Sequence, residues 1–212
     1  MAEPQGDEGR AGSGSAGLNA YSLGRLLTFS DGVFAIAITI LVLNLVVPDL
    51  HNATPDRLRA ALLNDATGLL GFGLSFYVIG SLWSFHHRLL CRVQRLTAPL
   101  RWLNLLMLAP VCLIPFTTGV PVRYGTMGIG VQPYALNVAL ANLVGVAIYI
   151  HICARQRPAG SRRTLVRALI GPAVFLASMP VAEWQPLYAE LAWLLLLPVL
   201  HLLPNSPEGS SP

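Results

Sequence analysis

Two groups of residues in this sequence have the types and spacing to do chemistry. The first is polar and titratable: Ser30 and Asp31 open an apolar run, and His86 and His87 close another. The second is a stripe within the first run, where Ile36, Ile40 and Leu43 follow the i, i+4, i+7 spacing of one helix face and Thr39 stands beside them with a hydroxyl. A serine, an aspartate and a histidine are the residue types of a hydrolytic triad. An aspartate with two histidines is also the composition of an intramembrane proton relay. An apolar ring on a membrane helix is most often a packing or lipid face, and can also close a pore by dewetting.

Helical geometry weighs against the triad. Adjacent residues on a helix point about 100° apart, so neither Ser30 with Asp31 nor His86 with His87 converges on one reacting atom or one metal. No His-Glu-x-x-His or Gly-x-Ser-x-Gly pattern is present. The chain is expected not to be an enzyme and to hold neither metal nor cofactor. Asp31 and Ile36 point about 140° apart on the same reasoning, so the aspartate and the apolar stripe face different neighbours. In the simplest reading, Asp31 clamps one helix to another through its carboxylate.

The elements that must hold these residues are membrane spans. Of 212 residues, 54% are hydrophobic and 11% charged, a balance typical of membrane proteins. A span takes about 20 apolar residues, and six candidates run roughly over 26–47, 68–90, 102–120, 134–153, 165–181 and 187–203. Prolines 110, 115, 172, 180 and 198 inside them are tolerable in a bundle, where neighbours satisfy the freed carbonyls. Residues 1–20, rich in Gly, Ala and Ser, read as a disordered tail, residues 21–203 as the transmembrane domain and residues 204–212 as a flexible tail.

All basic residues are arginines, concentrated in two connections: Arg88, Arg92, Arg95 and Arg101, then Arg155, Arg157, Arg162, Arg163 and Arg167. The positive-inside rule puts these loops, and with six spans both termini, in the cytoplasm of a multi-pass protein of the cell membrane. The same rule accounts for the net charge of +4 without nucleic acid, leaving membrane lipids as the surroundings of the arginines. Cys91, Cys112 and Cys153 lack the paired spacing of a disulfide framework or zinc site. The glycine-bearing stretch 125–130 lacks the lysine of a phosphate cradle and reads as an extracytoplasmic turn.

The string from Arg25 through Phe29, Ser30 and Asp31 to Ile36, Thr39, Ile40 and Leu43 resembles the first-helix signature of the transmembrane protein 175 family, the lysosomal potassium channels and their prokaryotic relatives. The likeness continues with Trp83, His86 and His87 in the second span and with Trp102 and Asn104 in the third. It covers roughly residues 22–155. Asn44 stands where many relatives carry an acidic residue.

The resemblance implies four six-helix units around one axis, each lining the pore with its first helix. With one signature per chain, it implies a homotetramer whose only ligands are permeant potassium ions. Ile36 then matches the constriction, with Ile40 and Leu43 as further apolar rings and Thr39 as a selectivity hydroxyl. Ser30 and Asp31 form a hydrogen-bonded knot behind the pore with His86 or His87, Trp83 and Asn104, while Arg25 meets another helix or a lipid phosphate. The alternative is a proton-coupled transporter using Asp31 with His86 or His87 as a relay, although no duplicated half supports it.

Overall fold

The computed structural model describes residues 8–45, 54–64, 66–156 and 162–202, and among them the regular structure is helical throughout. Seven α-helices follow in order: α1 (Glu8–Ile40), α2 (Pro55–Asn64), α3 (Ala66–Leu90), α4 (Ala98–Tyr124), α5 (Gly128–Gln156), α6 (Arg162–Trp184) and α7 (Pro186–Leu202). A 3-10 turn, Leu41–Asn44, extends α1. At 1.5 Å per residue a 25-residue helix is about 37 Å long, enough to cross a hydrocarbon core of about 30 Å. Five helical segments meet the requirement of length and apolarity: Gly17–Asn44, Ala66–Leu90, Ala98–Tyr124, Gly128–Arg155 and Thr164–Trp184. The chain is therefore an all-α membrane protein. Helix α7, with 17 residues, is shorter than these five.

Three departures from the sequence reading have local causes. α1 begins at Glu8, inside the stretch expected to be disordered. No proline interrupts residues 8–40, so the long apolar half can propagate helix backwards through the Gly and Ser residues. α2 is a short polar helix in the first connection, started by Pro55 and by the Thr54 hydroxyl, which accepts from the Arg57 amide at 3.3 Å. The turn expected over 125–130 is shorter, because α5 starts at Gly128. A Cβ there would come within 2.7 Å of the Ala182 carbonyl oxygen, so glycine permits the backbone of α5 to approach the end of α6. The proposed tail 204–212 lies outside the described residues.

The bundle is organised around α4 and α5. α1 leans on α3 and α4, α5 lies between α4 and α6, and α7 closes against α5 and α6. The Thr97 hydroxyl caps α4 by accepting from the Leu100 amide at 3.3 Å. His87 and Arg88 sit in the last turn of α3 and Arg155 in that of α5, where positive charge suits the helix dipole. α4 carries Pro110, Pro115 and Pro121, and side chains of neighbouring elements supplement its backbone bonding. Asn44 donates to the Pro115 carbonyl at 2.8 Å and Asn137 to the Pro110 carbonyl at 2.9 Å.

Candidate functional site

α1 presents two unlike faces. Ser30, Phe34, Ala37 and Leu41 fall within about 60° of one another on the helical wheel, and all four are buried against α3 and α4. On the far side, Ile36 is 60% exposed, Ile40 42% and Leu43 74%, with Thr39 exposed between them. The Thr39 hydroxyl donates to the Ile36 carbonyl at 2.9 Å. Its proton is thus engaged and its oxygen lone pairs remain to accept.

The buried face is fastened by a polar network. The Ser30 hydroxyl donates to the Leu26 carbonyl at 2.8 Å and accepts from the Asn104 amide at 3.0 Å. Asn104 Oδ1 then faces His86 Nε2 at 2.6 Å. Because an amide oxygen can only accept, the imidazole carries its proton on Nε2. Ser30, His86 and Asn104 are fully buried, and they join α1, α3 and α4 at one point. The Nδ1 atom of His86 has no partner, consistent with the unprotonated nitrogen of this tautomer.

Asp31 and Trp83 form a second link, in which the indole Nε1–H donates to an Asp31 carboxylate oxygen at 2.8 Å. His87 packs its ring beside Trp83, 5.6 Å between centroids, and lies 3.4 Å from the Cys91 sulfur. Of the two histidines, His86 therefore joins the Ser30 network and His87 sits near Asp31's partner. Arg25 and Phe29 stand apart from both groups: Phe29 is exposed, and the Arg25 guanidinium lies over the ring of Tyr21, one turn earlier, at 5.8 Å. Asp31 bonds to an indole and His86 to an amide, so the two are wired to different partners rather than to each other.

Several structural bonds were missed in the sequence reading. Ser75, Thr118 and Tyr134 form a buried chain of hydroxyls between α3, α4 and α5, and Asn44, noted there only for its residue type, ties the end of α1 to α4. Their signal was present: polar residues embedded in apolar spans must find partners in the bundle.

Five long apolar helices, with a first helix that is polar-bonded on one face and bare on the other, define a polytopic helical membrane protein. The family description "Endosomal/lysosomal potassium channel TMEM175" matches residues 25–115. The matched segment contains the residues from Arg25 to Asn104 on which the resemblance read from the sequence rests. A protein called potassium channel from Streptomyces collinus is 41% identical over 101 residues, covering 48% of this chain and 48% of that protein. One of the same description from Chamaesiphon minutus is 40% identical over 101 residues, covering 48% and 50%. The human "endosomal/lysosomal proton channel TMEM175" is 27% identical over 84% of this chain and 37% of its own. The matches thus span about half the length of the bacterial relatives. Among solved structures, the crystal structure of a "lysosomal potassium-selective channel TMEM175 homolog" from Chamaesiphon minutus has a TM-score of 0.78 at 26% identity, covering 86% of this chain and 97% of that one.

Proposed function

We propose that this protein is a passive, potassium-preferring cation channel in the cell membrane, formed by four copies around one axis with α1 of each lining the pore. The observation that carries the reading is the bare stripe of Ile36, Ile40 and Leu43 on a helix whose opposite face is locked to α3 and α4. The names of the bacterial relatives and the likeness to a potassium-selective homologue support it. α7 supplies the sixth span, and both termini and the two arginine-rich loops lie in the cytoplasm.

In this reading Ile36 forms the narrowest apolar ring, with Ile40 and Leu43 as further rings along the axis. Such a ring blocks flow by dewetting and conducts when it widens. Four copies of Thr39 contribute hydroxyl oxygens whose protons are held by their own helices, so they face the axis as acceptors and replace part of a cation's lost hydration. Potassium passes more readily than sodium because it sheds water more easily.

Bilayer recording of the purified protein, with potassium on one side and sodium on the other, tests this reading. Wild type should give a cation current reversing toward the potassium potential, and Ile36→Asn should change its size or selectivity. Absence of current from both proteins, at equal folding and insertion, would remove the channel reading. A current untouched by Ile36→Asn would move the constriction elsewhere. Proton movement coupled to a second solute would instead favour the transporter.

A further inference from the structure

Away from α1, helices α3, α4, α5 and α7 enclose a cavity of about 140 Å³ that opens to the exterior on one side. That is close to the volume of about 150 Å³ that accepts benzene in an engineered protein cavity. Its walls are mainly apolar, with Leu70, Leu74, Val122 and Leu191 among them. Its polar lining consists of Ser75, Thr118, Tyr134 and Glu190, with the exposed Thr67 and the ring of Trp193 beside them.

Each hydroxyl has one proton, and counting them decides what the cavity offers an occupant. Thr118 donates to the Ile114 carbonyl at 2.7 Å. The Ser75 oxygen lies 2.8 Å from that of Thr118 and 3.2 Å from that of Tyr134. At the second contact Ser75 donates to the Tyr134 phenol oxygen, which leaves the phenol proton unengaged. The Trp193 Nε1–H is likewise engaged, donating to Ser178 at 3.0 Å. What remains for an occupant is the phenol O–H of Tyr134, the hydroxyl of Thr67, two aromatic rings whose centroids are 5.2 Å apart, and the Glu190 carboxylate. Gly125 leaves room for that carboxylate, since a Cβ there would come within 2.9 Å of Glu190 Oε1.

The carboxylate and the two aromatic rings favour a cation, and among the described residues the lining carries no basic side chain to pair with Glu190. An acyl chain would fill the apolar volume but leave the carboxylate unanswered. We propose that this cavity is a binding site for a small organic ammonium ion, a protonated amine carried on an apolar body of roughly six to ten heavy atoms. The ammonium group pairs with Glu190 beside the aromatic rings, and the apolar body lies among the leucines. The site uses no pore-facing residue of α1 and does not depend on the channel reading.

Calorimetric titration of the full chain in detergent with benzylammonium, against benzyl alcohol as a neutral partner of the same size, tests the proposal. Benzylammonium should bind saturably, at least about tenfold more tightly than the alcohol, and Glu190→Gln should remove about that advantage. Ile36→Asn should leave the binding unchanged. Equal affinity for the amine and the alcohol in wild type would overturn the proposal, even if Glu190→Gln did not fold. So would absence of saturable binding, or undiminished amine binding by a folded Glu190→Gln protein.

Discussion

On one side of α1, Phe34, Ala37 and Leu41 are sealed under α3 and α4, and Ser30 is bonded to Asn104. On the other, Ile36, Ile40 and Leu43 meet no comparable cover among the described residues. Both faces are apolar in residue type, so hydrophobicity cannot decide which one turns inward; in a membrane, lipid is as apolar as a protein core. The rotation of α1 is set instead by a few polar bonds. Ser30 and Asp31 anchor one end to Asn104 and Trp83, and Asn44, about 20 Å further along the axis, anchors the other to Pro115. The stripe lies between these anchors, turned away from the bundle. The polar residues thus position the bare side of α1 without belonging to it.

The comparison breaks most readily at Asn104. Replacing it by alanine strands the His86 and Ser30 groups that it bonds, two interhelical bonds each contributing about 1 kcal/mol, so Asn104→Ala should lose about 2 kcal/mol of stability. Thermal unfolding in detergent measures this. A double-mutant cycle with Ser30→Ala should show coupling, since the two groups share a bond at 3.0 Å. Simple additivity would mean that the network does not hold α1.

Trp83→Phe keeps an aromatic ring beside His87 but removes the donor to Asp31, leaving a carboxylate that can reach water more easily than a buried group. The expected loss is about 1 kcal/mol, measured in the same way. A loss as large as that of Asn104→Ala would make Asp31 and Trp83 the principal clamp.

The difference between these anchors also bears on what a sequence can reveal. Helix type and approximate limits were legible because long apolar runs leave few alternatives: α3 was expected over 68–90 and runs from Ala66 to Leu90. α5 starts six residues before its expected limit, because Gly128 read locally as part of a turn while its close approach to Ala182 of α6 lets the helix begin there. α2 falls below any hydropathy threshold. The family resemblance implied that Ser30, Asn104 and a histidine belong to one knot, and the structure joins them. Which histidine joins them it left open: His86 and His87 point about 100° apart, and only the placement of α3 against α4 selects His86. Asn44, noted in the sequence only as standing where many relatives carry an acidic residue, bonds to a carbonyl of α4.

Changes on the bare face should leave folding alone. Ile36→Asn and Thr39→Val alter side chains that this chain does not cover, so each should shift stability by no more than about 0.5 kcal/mol. Their effects should appear in conduction, and Thr39→Val isolates the hydroxyl because the two side chains have nearly the same shape. If the threonine oxygen replaces part of the hydration of a passing cation, valine should lower the preference for potassium over sodium. In the proposed pore, a ring of Ile36 side chains should still gate flow by dewetting. Reversal potentials under opposed potassium and sodium solutions read the first effect, and the closed-state current reads the second. An unchanged reversal potential would leave Thr39 bonded only to the carbonyl of its own helix, and selectivity would then rest on the radius of the apolar ring.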